Sequence, residues 1–315
     1  MWQRLLLNLW RDTLTRLTMP ELPEVETVKR GLEPVLKGQT ITHVDLRRPN
    51  LRFPFPPDFA AKLEGAMVLN LTRRAKYILI ECSTGVSLMV HLGMTGRFTV
   101  LKPDGGPDNL AAFYFETAAG AKADGPHDHV VFTLQNGVRL VYSDPRRFGM
   151  MDIAETSKLH DHRLLKGIGV EPLGNELSGA HLAEKFRGKT APLKAALLDQ
   201  RVVAGLGNIY VCEALHRAGL SPARKAASLV KVKSYDPRID LLVRHIKVIL
   251  NEAIVAGGST LQDFVGADGE KGSYQQRFSA YDREGDDCNI VKCSGKIARI
   301  TQAGRSTFYC SVCQK

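Results

Sequence analysis

A chain of 315 residues with 44% hydrophobic content can bury two cores, which excludes a disordered tail protein. A formal net charge of +10 suits an anionic partner, nucleic acid first among them, although a soluble enzyme can also be basic without such a partner. No run of about 18 apolar residues occurs, so no transmembrane helix is expected.

Residues 1–18, "MWQRLLLNLWRDTLTRLT", contain arginine and little acid. They lack the long apolar stretch and small-residue cleavage site of a secretory signal. They read as an over-extended start, with a transit-type peptide as the alternative. The stretch "MPELPEVETVKRGLEP" then sets a second methionine, Met19, before Pro20 and Glu21. On the plain reading Pro20 opens a helix, since proline and acid belong in a first turn. Val25, Val28, Leu32 and Leu36 recur at helical spacing and predict a helix over 23–36. On the sharper reading Met19 is the initiator and is trimmed. Pro20 then carries a free secondary amine, a nucleophile, beside the Glu21 carboxylate.

From residue 39 to about 152 the pattern is strands: "TITHVDL", "YILIEC", "VSLMVHL", "GRFTVL", "AAFYFET", "HVVFTLQ" and "VRLVYS". Asn136-Gly137 between the last two is a hairpin turn signal. This region reads as a β-sandwich or barrel with the first helix packed on it. After about residue 155 helices take over, in "APLKAALLDQ", "NIYVCEALHRAG" and the long "DPRIDLLVRHIKVILNEAIVAGG". The last has Ile239, Leu242, Val243, Ile246, Leu250 and Ile254 on one face and ends at Gly257-Gly258. Residues 266–278 read as a polar, glycine-rich loop.

Four of the six cysteines crowd the C-terminus as Cys288-x4-Cys293-x16-Cys310-x2-Cys313. Two close pairs separated by a loop are the spacing of a four-thiolate zinc site. Two disulfides fit poorly without a signal peptide, and so small a segment would draw much of its folding energy from the ion. The sequence between the pairs alternates basic and apolar residues, as a β-hairpin carrying Lys296, Arg299 and Arg305 would. Cys82 and Cys212 read as small core residues.

Three further stretches can carry chemistry or only structure. In "GLGNIY", Gly205 and Gly207 permit a tight turn and Asn208 caps a helix, so that backbone amides face an anion; glycine there can equally serve packing. In "SDPRRFG", Arg146, Arg147 and Phe148 project from a turn, as a wedge entering a duplex would, or as an ordinary loop. Lys76 in "RRAKY" and His91 and Met94 in "HLGMTG" are a strand-mouth lysine and turn residues that can also be merely structural.

Taken together, "MPELPEVET", "RRAKY", "HLGMTG", "DPRRFG", "GLGNIY" and "RSTFYC..CQK" resemble the formamidopyrimidine-DNA glycosylase family from Met19 to Lys315. The resemblance implies an α+β chain: an N-terminal β-sandwich with a flanking N-terminal helix, a C-terminal helical domain with a helix-two-turn-helix, and a zinc-binding β-hairpin. The divisions are an extension at 1–19, a catalytic sandwich at 20–152, a linker at 153–169, a DNA-binding domain at 170–279 and a zinc hairpin at 280–315. It further implies Pro20 as nucleophile, Glu21 as acid/base and Lys76 as catalytic lysine. Met94, Arg146 and Phe148 match a void-filling trio. Asn208 and Arg305 match phosphate contacts, with Arg305 also assigned to the second elimination; Lys194 and His91 match further DNA contacts. Glu24 matches an adjacent glutamate. The first zinc pair departs from the family's Cys-x2-Cys. The extension at 1–18 departs too, and it bears on chemistry, because an acylated Pro20 nitrogen is an amide without a usable lone pair.

The expected activity is that of a bifunctional DNA glycosylase and abasic-site lyase for oxidised purines. It would act as a monomer on damaged double-stranded DNA with one structural zinc, in a bacterial cytoplasm and associated with the nucleoid. Its rivals are the endonuclease VIII type, which prefers oxidised pyrimidines, and an inert zinc-dependent damage-binding protein whose Pro20 stays blocked.

Overall fold

The computed structural model describes residues 19–103, 125–259 and 272–315. The extension at 1–18, the expected strand "AAFYFET" and residues 266–271 of the expected loop lie outside the described residues. Helix α1 (Leu22–Leu36) begins one residue before its predicted start. Pro23 suits the first turn, and Glu24 reaches back to accept the Glu21 backbone N–H at 3.0 Å. Its predicted apolar face is buried.

The strands β1 (Ile41–Leu46), β2 (Val68–Arg74), β3 (Tyr77–Cys82), β4 (Val86–His91), β5 (Arg97–Leu101), β6 (Asp128–Leu134), β7 (Arg139–Ser143) and β8 (Met150–Glu155) form two four-stranded antiparallel sheets. Their orders are β1-β6-β7-β5 and β2-β3-β4-β8. Alternate residues such as Val130, Phe132 and Leu134 of β6 and Leu88 and Val90 of β4 meet in one core between the sheets. Asn136-Gly137 makes the β6–β7 turn, with Gly137 at φ +81.

Sequence patterning missed β2, β8, the short α2 (Phe59–Leu63) and α3 (Gly179–Phe186). Strands β2, VLNLTRR, and β8, MMDIAE, hold few of the β-branched and aromatic residues by which the other strands are recognised.

The second half packs α3, α4 (Leu193–Leu198), α5 (Asn208–Arg217) and α6 (Arg238–Val255) around one core. Helix α6 ends as expected, where Gly258 donates its N–H to Ala253 at 2.7 Å and both glycines hold positive φ. The hairpin of β9 (Ile297–Gln302) and β10 (Arg305–Cys310) buries Ile297 and Phe308 in that same core.

Helix α1 and Glu171 both join the halves. Helix α1 touches both β2–β3 and α6, and the Leu22 N–H donates to the Gly205 carbonyl at 3.1 Å. Glu171 binds Arg73, Arg74 and the Ala75 N–H at 2.7–2.8 Å. Among the described residues no helix is long and apolar enough to cross a membrane.

Candidate active site

A cavity of about 700 Å³ lies between the two halves, lined by Glu21, Lys76, His91, Met94, Asn208 and Arg305 among others. Motifs spread over nearly the whole chain thus reach one space. Pro20 is buried, and Met19, 38% exposed, lines the cavity.

Glu21 is 2% exposed and accepts the backbone N–H groups of Ile209 at 2.9 Å and Tyr210 at 3.4 Å, in the first turn of α5. The anion at the glycine-rich turn is therefore the chain's own carboxylate. Only glycine allows this approach: a Cβ on Gly207 would lie 2.1 Å from Glu21 Cδ, and one on Gly205, at φ +75, 2.7 Å from Leu22 Cδ1. Burial pushes the Glu21 carboxyl up to about 7, opposed by Lys76 and the two amides and reinforced by Glu24. Glu24 itself is fully engaged, accepting from Tyr210 Oη at 2.6 Å and from the Ser259 N–H and Oγ at 2.8 and 3.0 Å.

Lys76 stands in the β2–β3 turn, directly after Ala75 at φ +53. Desolvation lowers its pKa, against the raising effect of Glu21 and Glu24, while Arg305 adds to the lowering. His91 Nδ1 accepts the Gly93 N–H at 3.0 Å, so the neutral ring carries its proton on Nε2. Burial, Lys76 and Arg52 push its pKa down to about 4, which keeps the ring neutral at pH 7.

Met94, Arg146 and Phe148 gather around an adjoining hollow with Asn50, Arg52 and Arg147. The Arg146 guanidinium lies 4.9 Å from the Phe148 ring centroid, and Phe148 is 41% exposed. Their two loops pack back to back, since a Cβ on Gly93 would come 2.3 Å from Gly149 N. Buried Asp144 staples both, accepting from Thr95 Oγ1 at 2.5 Å and the Gly149 N–H at 2.7 Å.

Arg305 is exposed at the start of β10. The next residue ties the hairpin to the helices: the Ser306 carbonyl accepts from Asn208 Nδ2 at 2.9 Å and Lys194 Nζ at 3.0 Å. Lys194 is 1% exposed, and its ammonium also donates to Thr307 Oγ1 at 2.6 Å. The structure thus gives Lys194 a tether to the hairpin that its sequence context did not suggest. Asp144, Glu171 and Gln200 were not singled out from sequence either. Gln200 accepts the Gly205 N–H at 2.8 Å and donates to the Leu206 carbonyl at 2.8 Å, holding the turn beneath Glu21. No local spacing announces such residues, whose partners are brought to them only by the folded loops and strands around them.

Cys288, Cys293, Cys310 and Cys313 bring their Sγ atoms within 4.8 Å of one another. The Cys288–Cys313 and Cys293–Cys310 separations of 3.7 and 3.6 Å match the roughly 3.8 Å edge of a tetrahedron with 2.3 Å zinc–sulfur bonds. A Cβ on Gly295 would lie 2.5 Å from Cys310 Sγ, so the knuckle needs glycine there. The x4 spacing of the first pair therefore still delivers both thiols, and the cluster fits a metal ion such as zinc.

Family models described as Formamidopyrimidine-DNA glycosylase N-terminal domain and Formamidopyrimidine-DNA glycosylase H2TH domain match residues 19–151 and 168–265. The Formamidopyrimidine-DNA glycosylase of Methylobacterium nodulans is 54% identical over 297 residues, covering 94% of this chain and 99% of that protein. The crystal structure of the MutM (Fpg) protein from Thermus thermophilus is 37% identical with a TM-score of 0.77, covering 94% of this chain and 98% of that one. The Lactococcus lactis Fpg in complex with abasic-site DNA is 32% identical with a TM-score of 0.78, covering 94% and 99%.

Proposed function

The chain belongs to the formamidopyrimidine-DNA glycosylase family, and on that footing we propose that it removes oxidised purines from duplex DNA and then cuts the strand. The observation that carries this reading is the buried Glu21 carboxyl next to Pro20, in a cavity shared with Lys76 and Arg305. A carboxyl poised near the working pH can both give and take a proton.

In the proposed reaction the chain begins at Pro20. Its amine, with a reference pKa near 8, has a useful neutral fraction at pH 7. The nitrogen bonds to C1′ of the damaged nucleotide while the glycosidic bond breaks, and the leaving base takes up a proton. Ring opening gives an iminium between Pro20 and the sugar. The iminium acidifies the C2′ proton; its removal expels the 3′ phosphate, and a second elimination expels the 5′ phosphate. Glu21 shuttles protons at the sugar, and Lys76, whose pKa desolvation lowers, assists beside it. Arg305 serves a phosphate contact and the second elimination.

The damaged base must leave the stack before any of this, and Met94, Arg146 and Phe148 fill the gap. Asn208, tied to the Ser306 carbonyl in the lining of the cavity, serves a phosphate contact. His91 offers Nε2–H to the same strand. Lys194 acts on DNA through the hairpin that it tethers. Zinc held by Cys288, Cys293, Cys310 and Cys313 would stabilise the hairpin that presents Arg305. Residues 20–152, 170–279 and 280–315 serve as the catalytic, DNA-binding and zinc domains of a monomer acting in the bacterial cytoplasm.

The test is incision of three end-labelled duplexes, one with 8-oxoguanine, one with an oxidised pyrimidine and one undamaged. This reading predicts fastest cutting at 8-oxoguanine, with phosphate left at both new ends. Faster cutting at the pyrimidine lesion favours the endonuclease VIII type, and binding without any cutting favours the inert damage-binding protein.

A further inference from the structure

His216 lies in the last turn of α5, 1% exposed, with Nε2 3.3 Å from Cys288 Sγ. Its other ring nitrogen, Nδ1, is buried without a hydrogen-bond partner. Nothing in the reaction proposed above uses this side chain. We infer that His216 is an outer-sphere donor to the metal centre, its Nε2–H hydrogen-bonding the Cys288 thiolate and fixing that sulfur to helix α5. The inference rests on the reading of the four cysteines as a metal site.

The tautomer follows from the two environments. A neutral imidazole has one N–H and one lone pair. If the proton sat on Nδ1, a buried donor would lack an acceptor, and the Nε2 lone pair would face the lone pairs of a thiolate. With the proton on Nε2, the donor meets an acceptor and only an acceptor position is left unpaired. A metal-bound cysteine is deprotonated and cannot donate, so the proton in this contact belongs to histidine once metal is bound.

Charge supplies the reason for such a donor. Four thiolates around a divalent cation leave an excess of two negative charges, at sulfurs of which Cys288 and Cys310 are buried. N–H groups aimed at sulfur offset that excess, as the Gly295 N–H does for Cys293 at 3.4 Å. The Gly295 donor comes from within the hairpin segment, whereas His216 comes from the helical domain. It sits roughly 10 Å along α5 from Ile209, whose amide holds Glu21. One short, buried helix therefore joins the metal centre at its last turn to the active-site carboxylate at its first. Partners of this kind typically change metal affinity by about 10–100-fold when removed.

The test begins on the wild-type full chain, loaded with cadmium-113 and labelled with nitrogen-15. The expected result is a slowly exchanging imidazole N–H, on Nε2 of His216, with scalar coupling to the cadmium through Cys288 Sγ. Cadmium bound by four thiolates with the His216 proton on Nδ1, or uncoupled, overturns the inference and leaves the metal site standing. A chain that binds no cadmium overturns the metal reading, and this inference with it. Chelator competition adds a second measurement. His216→Phe should hold zinc about 10–100-fold more weakly than wild type, and His216→Gln, which keeps an amide donor, should recover most of the loss. Equal zinc affinity in wild type and His216→Phe also overturns it. The wild-type measurement decides the question even if His216→Phe fails to fold.

Discussion

The carboxylate of Glu21 sits 2.9 Å from the backbone N–H of Ile209, so the N-terminal segment plugs an acid into the first turn of α5. Burial raises its pKa to about 7 even though two amides and Lys76 favour the ionised form. The fold therefore holds an acid in a place where its charge is costly.

That cost predicts a pH-dependent stability. An acid raised from 4.5 to about 7 on folding makes the native state bind more protons than the unfolded chain in that window. Stability contributed by this group thus falls as pH rises from about 4.5 to 7, then stays level. Glu21→Gln removes the ionisation and keeps an acceptor for the Ile209 N–H. It should be more stable than wild type at pH 8, by as much as about 3 kcal/mol, and gain nothing at pH 4.5. Urea melts of both proteins at the two pH values check this. An equal change at both pH values contradicts it.

Gly207→Ala probes the same contact from the other side. Its Cβ would lie 2.1 Å from Glu21 Cδ, so the carboxylate or the turn has to move. The expected outcome is a loss of about 1–3 kcal/mol of stability, as for other overpacked sites, together with a large fall in lesion incision. Wild-type incision in a folded Gly207→Ala protein would show that the placement of Glu21 is not needed.

How much of this was legible beforehand varies with the range of the interaction. Helix α1 was readable to within one residue because the spacing of Val25, Val28, Leu32 and Leu36 is a local signal, although Pro23 and not Pro20 fills its first turn. The hairpin turn at Asn136-Gly137 and the cysteine pairs were readable for the same reason. Strand β2 was not, because leucine, asparagine and arginine outnumber its β-branched residues. The identity of the anion at the Gly205–Asn208 turn was hidden too, since Glu21 lies far away in sequence. The tether from Lys194 to Thr307 was hidden for the same reason, because the two residues lie on separate elements far apart in the chain.

The wedge and the phosphate contacts should separate by substrate. Phe148→Ala leaves the basic surface intact, so binding to undamaged duplex should barely change. Excision of 8-oxoguanine should slow, because an unfilled gap leaves an unstacking cost of a few kcal/mol uncompensated. Cutting at a pre-formed abasic site should be much less affected. Equal slowing on both substrates contradicts the role given to Phe148.

Arg305→Ala, by contrast, should weaken binding to damaged and undamaged DNA alike and lower the salt slope by roughly one unit. Fluorescence anisotropy over a salt series measures both. Unchanged binding to undamaged duplex would remove Arg305 from the phosphate contacts.

Removing a metal ligand should dissect the fold. Cys310→Ser should lose zinc and DNA binding, while the core between the two sheets, which contains no hairpin residue, stays folded. Metal analysis and hydrogen exchange on the same sample test the two halves of that statement.

The central claim is that the Pro20 amine is the nucleophile, and borohydride trapping tests it most directly. An iminium is reducible, so enzyme incubated with 8-oxoguanine duplex and borohydride should give one covalent protein–DNA adduct. Peptide mapping should place the DNA on an N-terminal Pro20, and acetylating that amine should abolish trapping. An adduct on Lys76, or trapping at the normal rate by protein with a blocked N-terminus, would contradict the account.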